Sequence, residues 1–452
     1  MKTVLIKNGH VVDPLNGLEE DLNILIRNGK IADLTHELPQ ADCCIDVKGK
    51  TVCPGFIDIH MHEDPYDQEK GLLDKSIAKS MVLMGVTTAV GGNCGDNVMD
   101  PSRYLDILDR EGTATNLGLL AGHTFIRKAC GGSDKYSPVS QQTLEKMYQY
   151  GERCLQEGCF GISFGLKYVP GTSCEELTKM ASLCNSGHKL IAAHVRYDVE
   201  RVFEAVKEMA DVGKRLELPV QISHIGSMGG YGQMKELLGD IRKYQQEGID
   251  IKCDCYPYDA FSTAIGETTY DDGFLKLYDS DYNNILICDG KYAGKRCTKA
   301  IFDELRATAP ETMTVGYFMK EEDIALAMLE PEIMVASDGI RNGDQGHPRA
   351  AGTFPRFINK YVKTGKLPLM DAIRKMTEMP ASRLGLKNKG NLTIGSDADI
   401  VVFNYDTIED QATYEQPALP PAGMDYVLIG GKVAVSEGKL VCDSLGRTVR
   451  CK

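Results

Sequence analysis

The sequence predicts an α/β protein, a (β/α)8 TIM barrel with a small β-sandwich domain built from both chain ends. Three features carry that prediction. Short apolar runs alternate with amphipathic stretches through the middle of the chain, and both ends show apolar–polar alternation broken by turn dipeptides. The length of 452 residues exceeds what one hydrophobic core fills, which calls for a companion to the main domain. The expected division is 1–54 and 390–452 for the sandwich and 55–389 for the barrel, with an inserted subdomain around 265–330.

At the first end, TVLIKNGHVVD and LNILIRNGKIADL read as antiparallel strands, with Asn8-Gly9 and Asn28-Gly29 as hairpin dipeptides. The same texture returns in GSDADIVVFN and YVLIGGKVAVSEGKLV, so the two ends are expected to pair. Between them lie eight strand candidates: GFIDIHMH, GVTTAVGGNCG, LGLLAGHTF, FGISFGLKY, LIAAHVR, PVQISHIG, IKCDCYPY and EIMVASDG. Helix-like stretches such as TLEKMYQYGERCLQ and RVFEAVKEMADVGKRL separate several of them. Eight such units make a closed barrel whose active site lies at the C-terminal ends of the strands. The gap between runs seven and eight is too long for one helix; it is expected to hold the insertion, with NNILICDG and TMTVGYFM as strands, acting as a lid or as plain elaboration.

The charge balance, 64 acidic against 51 basic residues, gives a net charge of −13, a sign that repels phosphate backbones and anionic lipid. Neither nucleic acid nor membrane is an expected partner. The apolar part of MKTVLIKNG is too short for a signal peptide and no long apolar run follows, so a cytoplasmic location is expected. In that compartment the fifteen cysteines stay thiols, most of them small buried hydrophobes. Cys94 is the exception.

Polar residues fall where barrel chemistry happens. Strand one ends in His60-Met61-His62, whose period-two spacing aims both imidazoles the same way. Strands five, six and eight end in His194, His224 and Asp338. One histidine after a strand is ordinary; four with an aspartate, at four strand ends, read as a metal site. Cys94, in the glycine-flanked GGNCG at the end of strand two, joins them as a soft thiolate ligand. Imidazole and carboxylate favour zinc, one or two ions per chain, which lowers the pKa of water toward ~7 and polarises a scissile carbonyl. Asp338 is then the general base and acid. Lys167, just past strand four, would bridge two ions if carboxylated; the other reading is a salt-bridged lysine. His123, at the end of strand three, is a candidate substrate contact.

These residues, in the stretches PGFIDIHMHED, GGNCG, AGHTFIR, GISFGLKYVPG, HVR, ISH, CYPYDAFST, ASDG, HPRAAGTFPRF and GSDADIVVF, resemble the amidohydrolase superfamily and within it the D-aminoacylase, or N-acyl-D-amino-acid deacylase, family. The resemblance spans nearly the whole chain. It implies zinc on Cys94, His194 and His224, a weaker second site at His60 and His62 with Cys94 able to bridge, and Asp338 as acid/base. It places Tyr256 and Ser262 against substrate. One position departs: where family members that cleave ordinary N-acyl-D-amino acids usually carry a lysine two residues after the strand-six histidine, this chain has Gly226. Arg349 or Arg196 could supply a planar, bidentate donor to the substrate carboxylate instead, Arg196 being the more structural of the two.

The expected activity is therefore metal-dependent hydrolysis of the amide bond of N-acyl-D-amino acids or related small amides. A cyclic amide or imide hydrolase, or a D-dipeptidase of the same superfamily, is the alternative. A non-catalytic scaffold barrel is the alternative of another class, disfavoured because a scaffold has no need for polar groups converging on a cavity. A small-molecule substrate and a homo-oligomer complete the expectation.

Overall fold

The computed structural model describes residues 3–187 and 189–451. Both chain ends build one nine-stranded sheet. Its seam is the antiparallel pairing of Thr51–Pro54 with Ile400–Phe403, which puts Val52 opposite Val402 and Cys53 opposite Val401. Alternation along these strands serves two cores at once. Val52, Ile400 and Val402 pack inside the small domain with Ile6, Val11 and Ile24. Cys53, Val401 and Phe403 face the barrel and join its core. A strand buried on both faces needs the unbroken apolar run that IVVF supplies.

All eight expected strands form the barrel: Phe56–Asp58, Val86–Gly91, Asn116–Leu119 continued by Ala121–Gly122, Gly161–Gly165, Leu190–His194, Val220–Ile222, Ile251–Cys255 and Ile333–Val335. Neighbours pair in parallel through the series. Just past the last strand, the chain returns to the first: Met61 bridges Gly339 in parallel, Asp338 N–H donates to His60 O at 2.8 Å and His62 N–H to Gly339 O at 2.9 Å. The bonds that bring strand eight to strand one thus run through three site residues.

The helical stretches fall on the outside as their periodicity requires. In Gln141–Gln156 the buried positions are Leu144, Met147, Gly151, Cys154 and Leu155, and Ser140 Oγ caps the start by accepting Thr143 N–H.

The insertion begins slightly earlier than the expected residue 265, with the strand Phe261–Ala264, and adds Ile285–Ile287 and Met313–Gly316, the last antiparallel to both others. Packed rings hold it, among them Phe274 stacked on Phe302 with centroids 5.2 Å apart. It forms a wall of the barrel mouth. The segment after Lys439–Leu440 leaves the sheet and runs beside barrel strand three, where Leu117 N–H donates to Arg447 O and Val449 N–H to Leu117 O. Among the described residues no helix is long and apolar enough to cross a membrane.

Candidate metal and active centre at the barrel mouth

Where the strands end, the backbone kinks. Cys94, His224 and Asp338 all adopt the left-handed conformation, with φ of 55°, 34° and 48°. For residues with a Cβ this costs about 1–3 kcal/mol each. Local bonds hold it in place: His224 N–H donates to Asp254 Oδ1 at 2.7 Å, and Asp338 N–H to the carbonyl of His60. The kinks bring side chains from distant strands to one point.

Two groups of donors result. One is His60, His62, Cys94 and Asp338, and the other Cys94, His194 and His224; within each, the donor atoms lie within 4.8 Å of one another. Cys94 belongs to both, its Sγ 3.4 Å from His60 Nε2 and 3.2 Å from His224 Nε2. Burial alone would push this thiol up, but the imidazoles of His224 and His60 outweigh it and hold the pKa well below the ordinary thiol range. A lowered pKa favours the thiolate, the form that binds metal.

The imidazoles are aimed. Asp254 Oδ1 faces His60 Nδ1 at 3.1 Å, which turns Nε2 toward Cys94 and Asp338 at the mouth, and Asp254 Oδ2 accepts from Gln221 at 2.8 Å. Ser227 Oγ lies 2.7 Å from His224 Nδ1 in the same orienting role. His194 is buried, yet neither ring nitrogen has a hydrogen-bond partner. A buried imidazole left so is costly unless another electrophile takes a lone pair. The thiolate and imidazole donors therefore fit a soft-to-borderline divalent cation such as zinc.

Beside the donors opens a cavity of about 400 Å³ lined by His62, Cys94, Tyr168, Ser262, Asp338 and Arg349. Asp338 Oδ1 lies 3.1 Å from His62 Nε2 and 3.4 Å from His60 Nε2; its Oδ2 accepts from Arg349 Nη2 at 2.9 Å. Burial raises this carboxyl, but Arg349, His224 and His60 more than reverse it, so Asp338 stays ionised. Arg349 lies with its guanidinium carbon 4.7 Å from the centre of the Tyr256 ring, and its Nε and Nη1 are buried without partners, as is the Tyr256 hydroxyl. Ser262 lines the same cavity while donating to Thr314 O at 2.8 Å.

Three expected residues have partners of their own. His123 does not face the cavity: it starts the helix His123–Ala129, is fully buried, and directs Nε2 to Glu176 at 2.8 Å, which Arg127 also binds at 3.0 Å. This is a structural cluster, since Arg127 also donates to the carbonyls of Gly132, Asp134 and Ser137. Glu176→Ala should cost about 3–5 kcal/mol by leaving that arginine unpaired, seen as a lower unfolding midpoint with KM unchanged. Lys167 Nζ donates to Asp198 at 2.8 Å, and Tyr278 also donates to that carboxylate. Arg196 is bidentate on Glu208 and serves structure.

A side chain at position 226 would have to displace two neighbours. A Cβ there would sit 2.8 Å from Cys255 Sγ and 2.9 Å from Ile324 Cδ1. Gly226→Lys is expected to destabilise by about 1–3 kcal/mol through overpacking and to leave KM no better, as read by thermal unfolding and steady-state kinetics. Sequence reasoning missed Asp254, Ser227 and Tyr168. Asp254 had a signal, a carboxylate in the middle of the apolar run IKCDCYPY, where a charge survives only with partners.

Barrel, kinked strand ends and thiolate–imidazole–carboxylate donors together define an amidohydrolase. The model of the amidohydrolase family matches residues 331–435. The D-aminoacylase of Alcaligenes xylosoxydans xylosoxydans is 30% identical over 490 residues, covering 99% of this chain and 97% of that protein. The N-acyl-D-glutamate deacylase of the same organism is 30% identical over 463 residues, covering 95% and 92%. Among solved structures, the N-acyl-D-glutamate deacylase of Bordetella bronchiseptica, complexed with zinc and a phosphonate mimic of the tetrahedral intermediate, aligns over 100% of both chains with a TM-score of 0.89 at 26% identity. A D-hydantoinase, at 17% identity and a TM-score of 0.64, shares the fold. The chain belongs to the D-aminoacylase family of amidohydrolases.

Proposed function

We propose that the protein is a zinc-dependent deacylase that hydrolyses the amide bond of N-acyl-D-amino acids or closely related small amides. The observation that carries this reading is the convergence of Cys94, His194 and His224 beside an ionised Asp338 at the wall of a cavity. Cys94, His194 and His224 would hold one ion, and His60 and His62, with Cys94 shared, a second. Zinc, when bound, supplies Lewis acidity, making nearby water more acidic and a carbonyl more electrophilic.

The remaining work belongs to side chains. Asp338 takes a proton from the attacking water and delivers it to the nitrogen that leaves. Arg349 keeps that carboxylate oriented through Nη2 and, at the cavity wall, is the cation for the substrate carboxylate, the role that Gly226 cannot play. Tyr256 and Ser262 line the path of the same substrate. The D-aminoacylase and D-glutamate deacylase relatives support the substrate class. Fifteen cysteines scattered along the chain support a reducing, cytoplasmic setting.

The test is elemental analysis of the purified protein with a screen of N-acetyl-D- and N-acetyl-L-amino acids. About one or two zinc ions per chain and D-selective release of amino acid are expected; absence of metal after reconstitution would refute the mechanism. Arg349→Met should raise KM for the free acids by about tenfold or more, the scale of one charge-assisted pair, and leave KM for the corresponding carboxamides nearly unchanged, while kcat falls for both because Asp338 loses its ion-pair partner.

A further inference from the structure

The helix Arg349–Phe357 carries the arginine of the site, and the residue just before its first turn, His347, is fully buried. His347 Nε2 lies 3.0 Å from the carbonyl oxygen of Ala260, and its Nδ1 accepts the backbone N–H of Arg349 at 3.0 Å. A carbonyl only accepts and an amide N–H only donates. One arrangement satisfies both: the neutral imidazole with its proton on Nε2. The ring is held edge-on by Tyr258, with centroids 5.1 Å apart and planes at 89°, and by Tyr414, 5.1 Å away at 79°.

The two ends of this imidazole touch elements of separate origin. Ala260 lies between Tyr256 and Ser262, on the segment leading from barrel strand seven into the insertion. Arg349 follows strand eight and reaches both Asp338 and the Tyr256 ring. We propose that His347 is a positioning residue: its fixed Nε2–H tautomer brackets the Tyr256–Ser262 segment to the Arg349 helix and thereby sets the distance between the carboxylate anchor and Asp338. The inference rests on Arg349 being that anchor. Misplacement by about 1 Å at such a point costs up to 10²-fold in rate, which gives the bracket its functional weight.

His347→Asn can retain an acceptor for the Arg349 amide but cannot reach Ala260, whereas His347→Gln retains the reach. His347→Asn should raise KM for an N-acetyl-D-amino acid by about tenfold, with the carboxamide counterpart changed less than about twofold, zinc per chain unchanged, and partial recovery in His347→Gln. In the wild-type protein, ¹⁵N imidazole resonances assigned by their loss in His347→Gln should show a neutral Nε2–H ring throughout pH 6–8. Equal effects on acid and carboxamide, an unchanged KM, or a proton on Nδ1 would each overturn the proposal. Lack of wild-type turnover would instead refute the deacylase reading, and the imidazole spectrum would still decide whether the bracket exists.

Discussion

Asp338→Asn is expected to lower kcat by roughly 10²–10⁴-fold, the range for loss of a positioned general base. The replacement keeps the shape of the side chain and an oxygen for Arg349 Nη2, so the change falls on proton transfer. Asp338 is ionised because Arg349, His224 and His60 outweigh its burial, and the base is thus already deprotonated in the neutral range where it must work. The donor group Cys94, His194 and His224 does not include Asp338, so the metal held there should remain. Steady-state kinetics with elemental analysis of the same preparation check both halves. Near-normal turnover would remove Asp338 from the mechanism.

Cys94→Ala should strip metal from both donor groups, because its Sγ is the atom they share. Loss of a residue that merely orients a ligand costs 10–100-fold in metal affinity, and loss of the thiolate itself should exceed that. The expected result is a protein that emerges from dialysis with little zinc and little activity, but with its barrel intact, since Cys94 is small and the surrounding strands keep their hydrogen bonds. Cys94→Ser tests chemistry against volume: a hydroxyl fills the space without a thiolate, and should bind zinc nearly as poorly as alanine. Zinc content unchanged in both variants would return Cys94 to the inert buried thiols.

Much of this architecture was legible in the chain alone. Each of the eight apolar runs became a barrel strand, and the alternating segments at the two ends met in one sheet. The donors His60, His62, Cys94, His194, His224 and Asp338 were recognisable because their chemistry coincides with strand ends, a position that the barrel converts into a shared mouth. Local periodicity and residue type suffice for that much.

His123 shows where such reasoning stops. Its run of sequence ends like that of His194, yet the chain turns at Gly122 straight into a helix, and the imidazole swings to Glu176, 53 residues away. The partner of Lys167 is likewise remote, Asp198, 31 residues on. Period two fixes a side chain's direction only while the strand lasts; beyond it, a single φ, such as the +55° at Cys94 or the +48° at Asp338, redirects everything. The orienting bonds of Asp254 to His60 and of His347 to Ala260 join residues 194 and 87 positions apart. Composition and periodicity carry the strands and the kinds of donor; only the closed barrel, by bringing remote carboxylates, amides and carbonyls within hydrogen-bond reach, decides which way each donor points.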